Sequence, residues 1–135
     1  MITRLTHVTV PVLDQDRALA FYTEKLGCTL KADGPLGTNG RWLTVCPPEQ
    51  PQLELILSPI SSNRLTAQTA EALRDLVAAG TFRVGFFTAR DIYATYEALV
   101  ARGVAFTKVP TREFYGLEAI FQDDSGNRFS LAQLR

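Results

Sequence analysis

His7 is the only imidazole in a chain of 135 residues, and it stands near the head of a segment, Leu5 to Val12, that alternates apolar and polar side chains. With Leu5, Val8, Val10 and Val12 toward a core, His7, Thr9 and Pro11 point the other way, so His7 need not be a core residue. Glu54 has a similar setting. In Gln52-Leu53-Glu54-Leu55-Ile56-Leu57 the leucines take the core face and leave Glu54 and Ile56 on the opposite one. An imidazole and a carboxylate move protons near neutral pH, and both ligate divalent metals. The plainer alternative for each is a strand residue bonded to a neighbour or to water. No G-x-S-x-G elbow, P-loop, G-x-G-x-x-G or H-E-x-x-H pattern offers a competing chemistry.

The elements that must position these two residues repeat. Asp14 can cap a helix whose apolar residues Ala18, Phe21, Tyr22 and Leu26 recur at helical spacing, and Gly27 stops it. A short strand follows near Cys28 to Ala32. The turn-rich stretch Asp33 to Gly40 comes next, then a strand Arg41 to Cys46, the Pro47-Pro48 break and a strand Gln52 to Leu57. Residues 61–80 read as a linking helix, with Asn63 as its cap and Gly80 as its stop. The order then returns. A strand Phe82 to Ala89 precedes a helix capped by Asp91 and stopped by Gly103, and a strand Ala105 to Lys108 comes next. Strands Leu117 to Gln122 and Asn127 to Leu134 finish the chain around the turn Asp123-Asp124-Ser125-Gly126. An offset of about 77 residues relates Val8–Asp14 to Gly85–Asp91, as a duplicated βαβββ unit requires.

The bulk numbers suit one α+β domain. The length can bury a core without disulfides. Lys+Arg and Asp+Glu both number 14, so no charge excess points to nucleic acid or to an acidic partner. Cys28 and Cys46 sit in apolar stretches without C-x-x-C spacing and read as reduced core thiols. No apolar run approaches the roughly 20 residues that span a bilayer, and no signal-peptide region is visible, so a cytoplasmic protein is expected.

The stretch His7 to Asp14, followed by Ala20-Phe21-Tyr22-Thr23-Glu24-Lys25-Leu26-Gly27, resembles the opening strand and helix of the vicinal oxygen chelate (VOC) superfamily. That group holds glyoxalase I, extradiol dioxygenases and bleomycin-resistance proteins. The ending Phe121 to Leu131 resembles the superfamily's final hairpin, with Asp124 in place of the usual proline. The resemblance covers nearly the whole chain. It implies one domain over residues 1–135, made of a first βαβββ module (1–60), a linking helix (61–80) and a second module (81–135). These would form an open mixed-sheet barrel around a cleft, in a protein that pairs as a homodimer.

Metal-dependent relatives take one ligand from the first strand and one from the last strand of each half. The resemblance puts His7 and Glu54 at two of these positions, Val84 at the third and Ser130 at the fourth. Valine has no lone pair to give, and a hydroxyl is a poor replacement for a carboxylate. An identical partner chain would bring the same deficient half, so a firmly bound metal is not expected. Trp42, Thr44 and Cys46, and Val84, Phe86 and Thr88, face the cleft if the strand parity is as read, which a one-residue slip would reverse. Arg112 and Tyr115 lie in the stretch Pro110 to Gly116, read as a loop at the cleft mouth. They could fix an anionic or carbonyl group, or simply be solvated.

Three functions stay open on the sequence. The first is a homodimeric protein that binds a small, partly apolar organic molecule through Trp42, Thr44, Val84, Phe86, Arg112, Tyr115 and Ser130, with no cofactor. The second is a metal-dependent lyase, isomerase or dioxygenase in which His7 and Glu54 hold a divalent metal. The third is a metal-free enzyme in which His7 and Glu54 are the catalytic acid and base.

Overall fold

A computed structural model describes residues 1–61 and 64–135. It divides into two compact units, Met1–Glu71 and Ala72–Arg135. The linking-helix cap read at Asn63 lies outside the described residues. The described cap is Thr66, whose hydroxyl accepts the N–H of Thr69 at 3.1 Å and whose carbonyl accepts that of Ala70 at 2.9 Å. Helix α2 itself runs Ala67–Ala78, and the boundary between the units falls inside it.

In the first unit, strand β1 (His7–Val12) leads into helix α1 (Gln15–Ala20), which continues as a π-helical turn, Phe21–Lys25. Asp14 starts the helix as expected, its carboxylate accepting the N–H of Arg17 at 2.9 Å. At the far end the N–H of Leu26 reaches back five residues to the Phe21 carbonyl, and Gly27 turns the chain with φ +75°. A side chain with Cβ is strained at that φ, which is why glycine ends the helix. Strands β2 (Thr29–Leu36), β3 (Gly40–Cys46) and β4 (Glu54–Pro59) complete a sheet of order β1-β4-β3-β2. Strands β1 and β4 are parallel and the other pairs antiparallel. Val10, Val12, Leu43, Val45, Leu55 and Leu57 are buried, as are Ala18, Phe21 and Tyr22 of the helical segment, and α1 packs on β4. Burying each of these valine, leucine and phenylalanine side chains contributes about 1.5–3 kcal/mol before entropy is counted. Gln15 pins the helix start by donating to the carbonyls of Leu57 (2.9 Å) and Arg41 (3.2 Å).

The second unit repeats the plan with β5 (Arg83–Thr88), α3 (Ile92–Ala101), β6 (Ala105–Glu113), β7 (Gly116–Gln122) and β8 (Arg128–Leu134), in the order β5-β8-β7-β6. Asp91 caps α3 through the N–H groups of Tyr93 and Ala94, both at 3.1 Å. A run of aromatic rings crosses its mostly aliphatic core. Phe87 lies 4.8 Å from Phe129, Phe129 5.7 Å from Phe121, Phe121 5.7 Å from Phe106, and Phe106 4.7 Å from Tyr96, ring centre to ring centre. The β7–β8 turn is built by Asp123, whose Oδ1 accepts from the backbone of Ser125, Gly126 and Asn127 at 2.9 Å. Gly126 has φ +115°, and any Cβ there would strike the Val77 carbonyl of α2.

Two stretches expected to be loops are strand. Asp33 to Leu36 belongs to β2, with Pro35 paired to Arg41. Pro110 to Glu113 belongs to β6, leaving only Phe114 and Tyr115 between it and β7. Both are edge strands, where proline's missing N–H breaks no ladder bond. The β6 ladder also skips register between Lys108 and Thr111, around Pro110. Arg41 reinforces the first case, clamping Asp33 with two hydrogen bonds of 2.8 and 2.9 Å.

Candidate functional site

Strand pairing sets the first unit's polar face. His7 stands opposite Glu54, and Thr9 and Thr44 flank Ile56 on either side. The buried Thr44 hydroxyl donates to Glu54 Oε1 at 2.7 Å, a charge-assisted bond that fixes the carboxylate plane. The other oxygen, Oε2, faces His7 Nε2 at 3.4 Å, close enough for ion pairing but long for a hydrogen bond. His7 Nδ1 lies 2.9 Å from the Thr6 hydroxyl, and the imidazole is 5.9 Å from the Trp42 ring, tilted by 50°. The arrangement is an imidazole, partly exposed, with an oriented carboxylate on one side and an indole on another. It can accept or give a proton and can present an aromatic surface to an apolar molecule.

The second unit carries a cluster that the reading of the sequence passed over, centred on Glu118 of β7. Its side chain is only 5% exposed. Lys108 Nζ donates to it at 2.8 Å and Ser130 Oγ at 2.7 Å, and the Tyr115 hydroxyl bonds it as well. Burial pushes the Glu118 carboxyl up, but the bonds from Lys108, Ser130 and Tyr115 outweigh it and hold the group at about 2. Lys108 also bonds Glu113 at 2.7 Å, and its two carboxylate partners raise the ammonium above its ordinary range. The bond to Glu118, with burial and the neighbouring carboxylates, likewise raises the Tyr115 phenol. The clue was present in Leu117-Glu118-Ala119-Ile120-Phe121, a lone carboxylate in an apolar strand, the same signal that drew attention to Glu54.

The remaining expected site residues fall as follows. Ser130 is buried and its hydroxyl donates a hydrogen bond to Glu118. Phe86 is 60% exposed and stands opposite Ser130. Val84 sits in a register irregularity between Arg83 and Gly85, so it is not the residue paired with Ser130. Arg112 is exposed on β6, opposite Leu117. Cys46 is buried, and burial, with Cys46 nearby, pushes the Cys28 thiol up to about 12, which leaves it unreactive at neutral pH.

His7 and Glu54 in the first unit are competent metal ligands. Among the described residues, however, no three His, Cys, Asp or Glu side chains converge on one point. In the second unit the Ser130 hydroxyl is committed to Glu118 and Val84 has no donor atom. This donor set does not match the three or four strong ligands of a transition-metal site.

The Glyoxalase/Bleomycin resistance protein/Dioxygenase superfamily model matches residues 4–131. The chain belongs to that superfamily, and its two four-stranded mixed sheets, unclosed and each with its helices, are the superfamily's fold. The solved structure of UcmS2 shares 46% identity, with 98% of each chain covered and a TM-score of 0.94. That of TnmS3, an antibiotic binding protein from Streptomyces sp. CB03234, shares 31% identity over 99% of this chain and 98% of its own, with a TM-score of 0.78. The uncharacterized protein YurT of Bacillus subtilis (strain 168) is 35% identical over 131 residues, covering 96% of this chain and 98% of its own length. No described helix is long and apolar enough to cross a membrane.

Proposed function

We propose that the protein binds a small, partly apolar organic molecule against its sheet faces and does so without a tightly bound metal. The observation that carries the reading is where the polar groups point. Thr44 spends its proton on Glu54, and Ser130, Lys108 and Tyr115 spend theirs on Glu118. Groups that satisfy one another leave little for an ion, while Trp42 beside His7 and the exposed Phe86 offer apolar surface. Ligand sites of this kind are mostly apolar with a few placed polar groups. The likeness to TnmS3 supports an antibiotic-like ligand. Homodimerisation and a cytoplasmic location belong to the same proposal, and sedimentation checks the first. The main test is a calorimetric screen of aromatic and polyketide-like compounds in excess chelator, with each bound compound recovered and weighed by mass spectrometry. Micromolar binding and unchanged mass are expected. Binding that appears only when a divalent ion is restored would refute the reading.

The His7–Glu54 contact favours one second reading, a metal-free acid–base enzyme. Thr44 fixes Glu54, Glu54 orients His7, and the imidazole takes or gives a proton at a carbonyl compound. Turnover that survives chelation and is lost in both His7→Ala and Glu54→Gln would support it. Recovery of every ligand unchanged would eliminate it.

A further inference from the structure

We infer that Arg83 and Phe86 of β5 form an anchor for a planar aromatic ligand bearing an acidic oxygen, an aryl carboxylate or phenolate. This rests on the binding reading above and adds the ligand's charge and the residues that read it.

The strand register brings the two side chains together. Arg83 stands opposite Arg128 and Phe86 opposite Ser130. Arg128 and Ser130 are two apart on β8 and share a face. Strand β5 carries one extra residue at the register irregularity between Arg83 and Gly85. This brings Arg83 to the face of Phe86, where Arg83 and Ser130 both approach Glu118. Phe87 takes the other face, against Phe121 and Phe129. A single exposed phenylalanine is ordinary on a protein surface and decides nothing by itself. The state of the guanidinium beside it is less ordinary.

Arg83 has a side chain 61% exposed, and among the described residues its charged partner is Glu118, at 4.0 Å. That distance is the outer limit of an ion pair, and Glu118 already accepts from Lys108, Ser130 and Tyr115. Most of the Arg83 N–H groups are thus left for another acceptor. Across the strand stands a second guanidinium, Arg128, and like charges at paired positions repel. Arg128 is half-buried, and its Nε is buried without a hydrogen-bond partner among the described residues. It lies against Gly80, where the C-terminal end of α2 offsets part of its charge, which leaves Arg83 as the exposed donor. A planar guanidinium with spare parallel N–H groups suits a carboxylate or phenolate oxygen. An aromatic ring a short step along the same face suits the ring that carries it.

The test is calorimetric titration with 2-naphthoate and its neutral match, 2-naphthamide, on the full-length protein and on Arg83→Gln, Arg83→Lys and Phe86→Ala. Both positions are exposed, so thermal unfolding should be unchanged in all three. Naphthoate should bind at least about tenfold tighter than naphthamide, a preference weakened by salt. Arg83→Gln should abolish the preference by lowering naphthoate affinity alone, and Arg83→Lys should keep part of it. Phe86→Ala should weaken both ligands several-fold and leave their ratio intact. A preference that survives Arg83→Gln, or no preference in the parent protein, overturns the anchor. If neither probe binds while the wider screen finds another ligand, the anchor fails and the binding reading stands.

Discussion

The two units solve the same local problem with the partners exchanged. Each sheet has a buried hydroxyl donating to a carboxylate at 2.7 Å between its third and last strands. In the first unit the hydroxyl is Thr44 on β3 and the acid Glu54 on β4. In the second the acid is Glu118 on β7 and the hydroxyl Ser130 on β8. What surrounds each acid differs more than the acid itself. Glu54 keeps one oxygen toward His7 at 3.4 Å, and its side chain is partly exposed. Glu118 is saturated by a cation and two hydroxyls and is nearly buried. One copy of the motif is left partly open to solvent and the other is closed into a structural knot.

The strongest way to break this comparison is to remove each acid. Glu118→Ala leaves the buried Ser130 hydroxyl without its acceptor and Lys108 with Glu113 alone, and a loss of about 3 kcal/mol in urea unfolding is expected. Glu54→Ala removes a partly exposed acid and should cost about 1 kcal/mol. Equal losses would erase the distinction.

Acid sharpens it next. Glu118 is held at about 2, below its ordinary value, so the stability it contributes is fully present above the ordinary carboxylate range and is lost as pH falls through that range toward 2. Urea midpoints measured from pH 6 to pH 2 should therefore fall steeply in the parent protein and less steeply in Glu118→Gln. Parallel curves would show that Glu118 is not the group that titrates.

The hydroxyls should matter less than Glu118 and about as much as Glu54. Thr44→Val and Ser130→Ala each remove one donor, at about 1 kcal/mol apiece, and Thr44→Ser should restore the parent value. Smallest of all is the thiol: Cys28 should resist iodoacetamide at pH 8 in the native protein and react on unfolding, because its thiolate is scarce.

The sequence carried the architecture well because punctuation and periodicity are local. Asp14, Asp91, Gly27 and Gly103 mark helix ends by backbone chemistry that needs no tertiary context. Strand ends were less legible. Gly34-Pro35 and Pro110 read as breakers, yet an edge strand tolerates them, and edge position is a property of the assembled sheet. The His7–Glu54 pairing could be reached from alternation and resemblance, and its register is as a parallel β1–β4 pair demands. The Glu118 knot was missed because its members come from β6, β7, β8 and a hairpin tip. Only the fold brings Lys108, Tyr115 and Ser130 to one carboxylate.

On the proposed reading, the site works without a tightly held ion. The most direct measurement is the metal content of untagged protein purified without chelator, before and after incubation with zinc, nickel, manganese and ferrous iron followed by desalting. The donor set predicts far less than one ion per chain in every case. Near-stoichiometric retention of any of them, lost in His7→Ala and Glu54→Gln, would contradict it and make the protein a metal-dependent member of its superfamily.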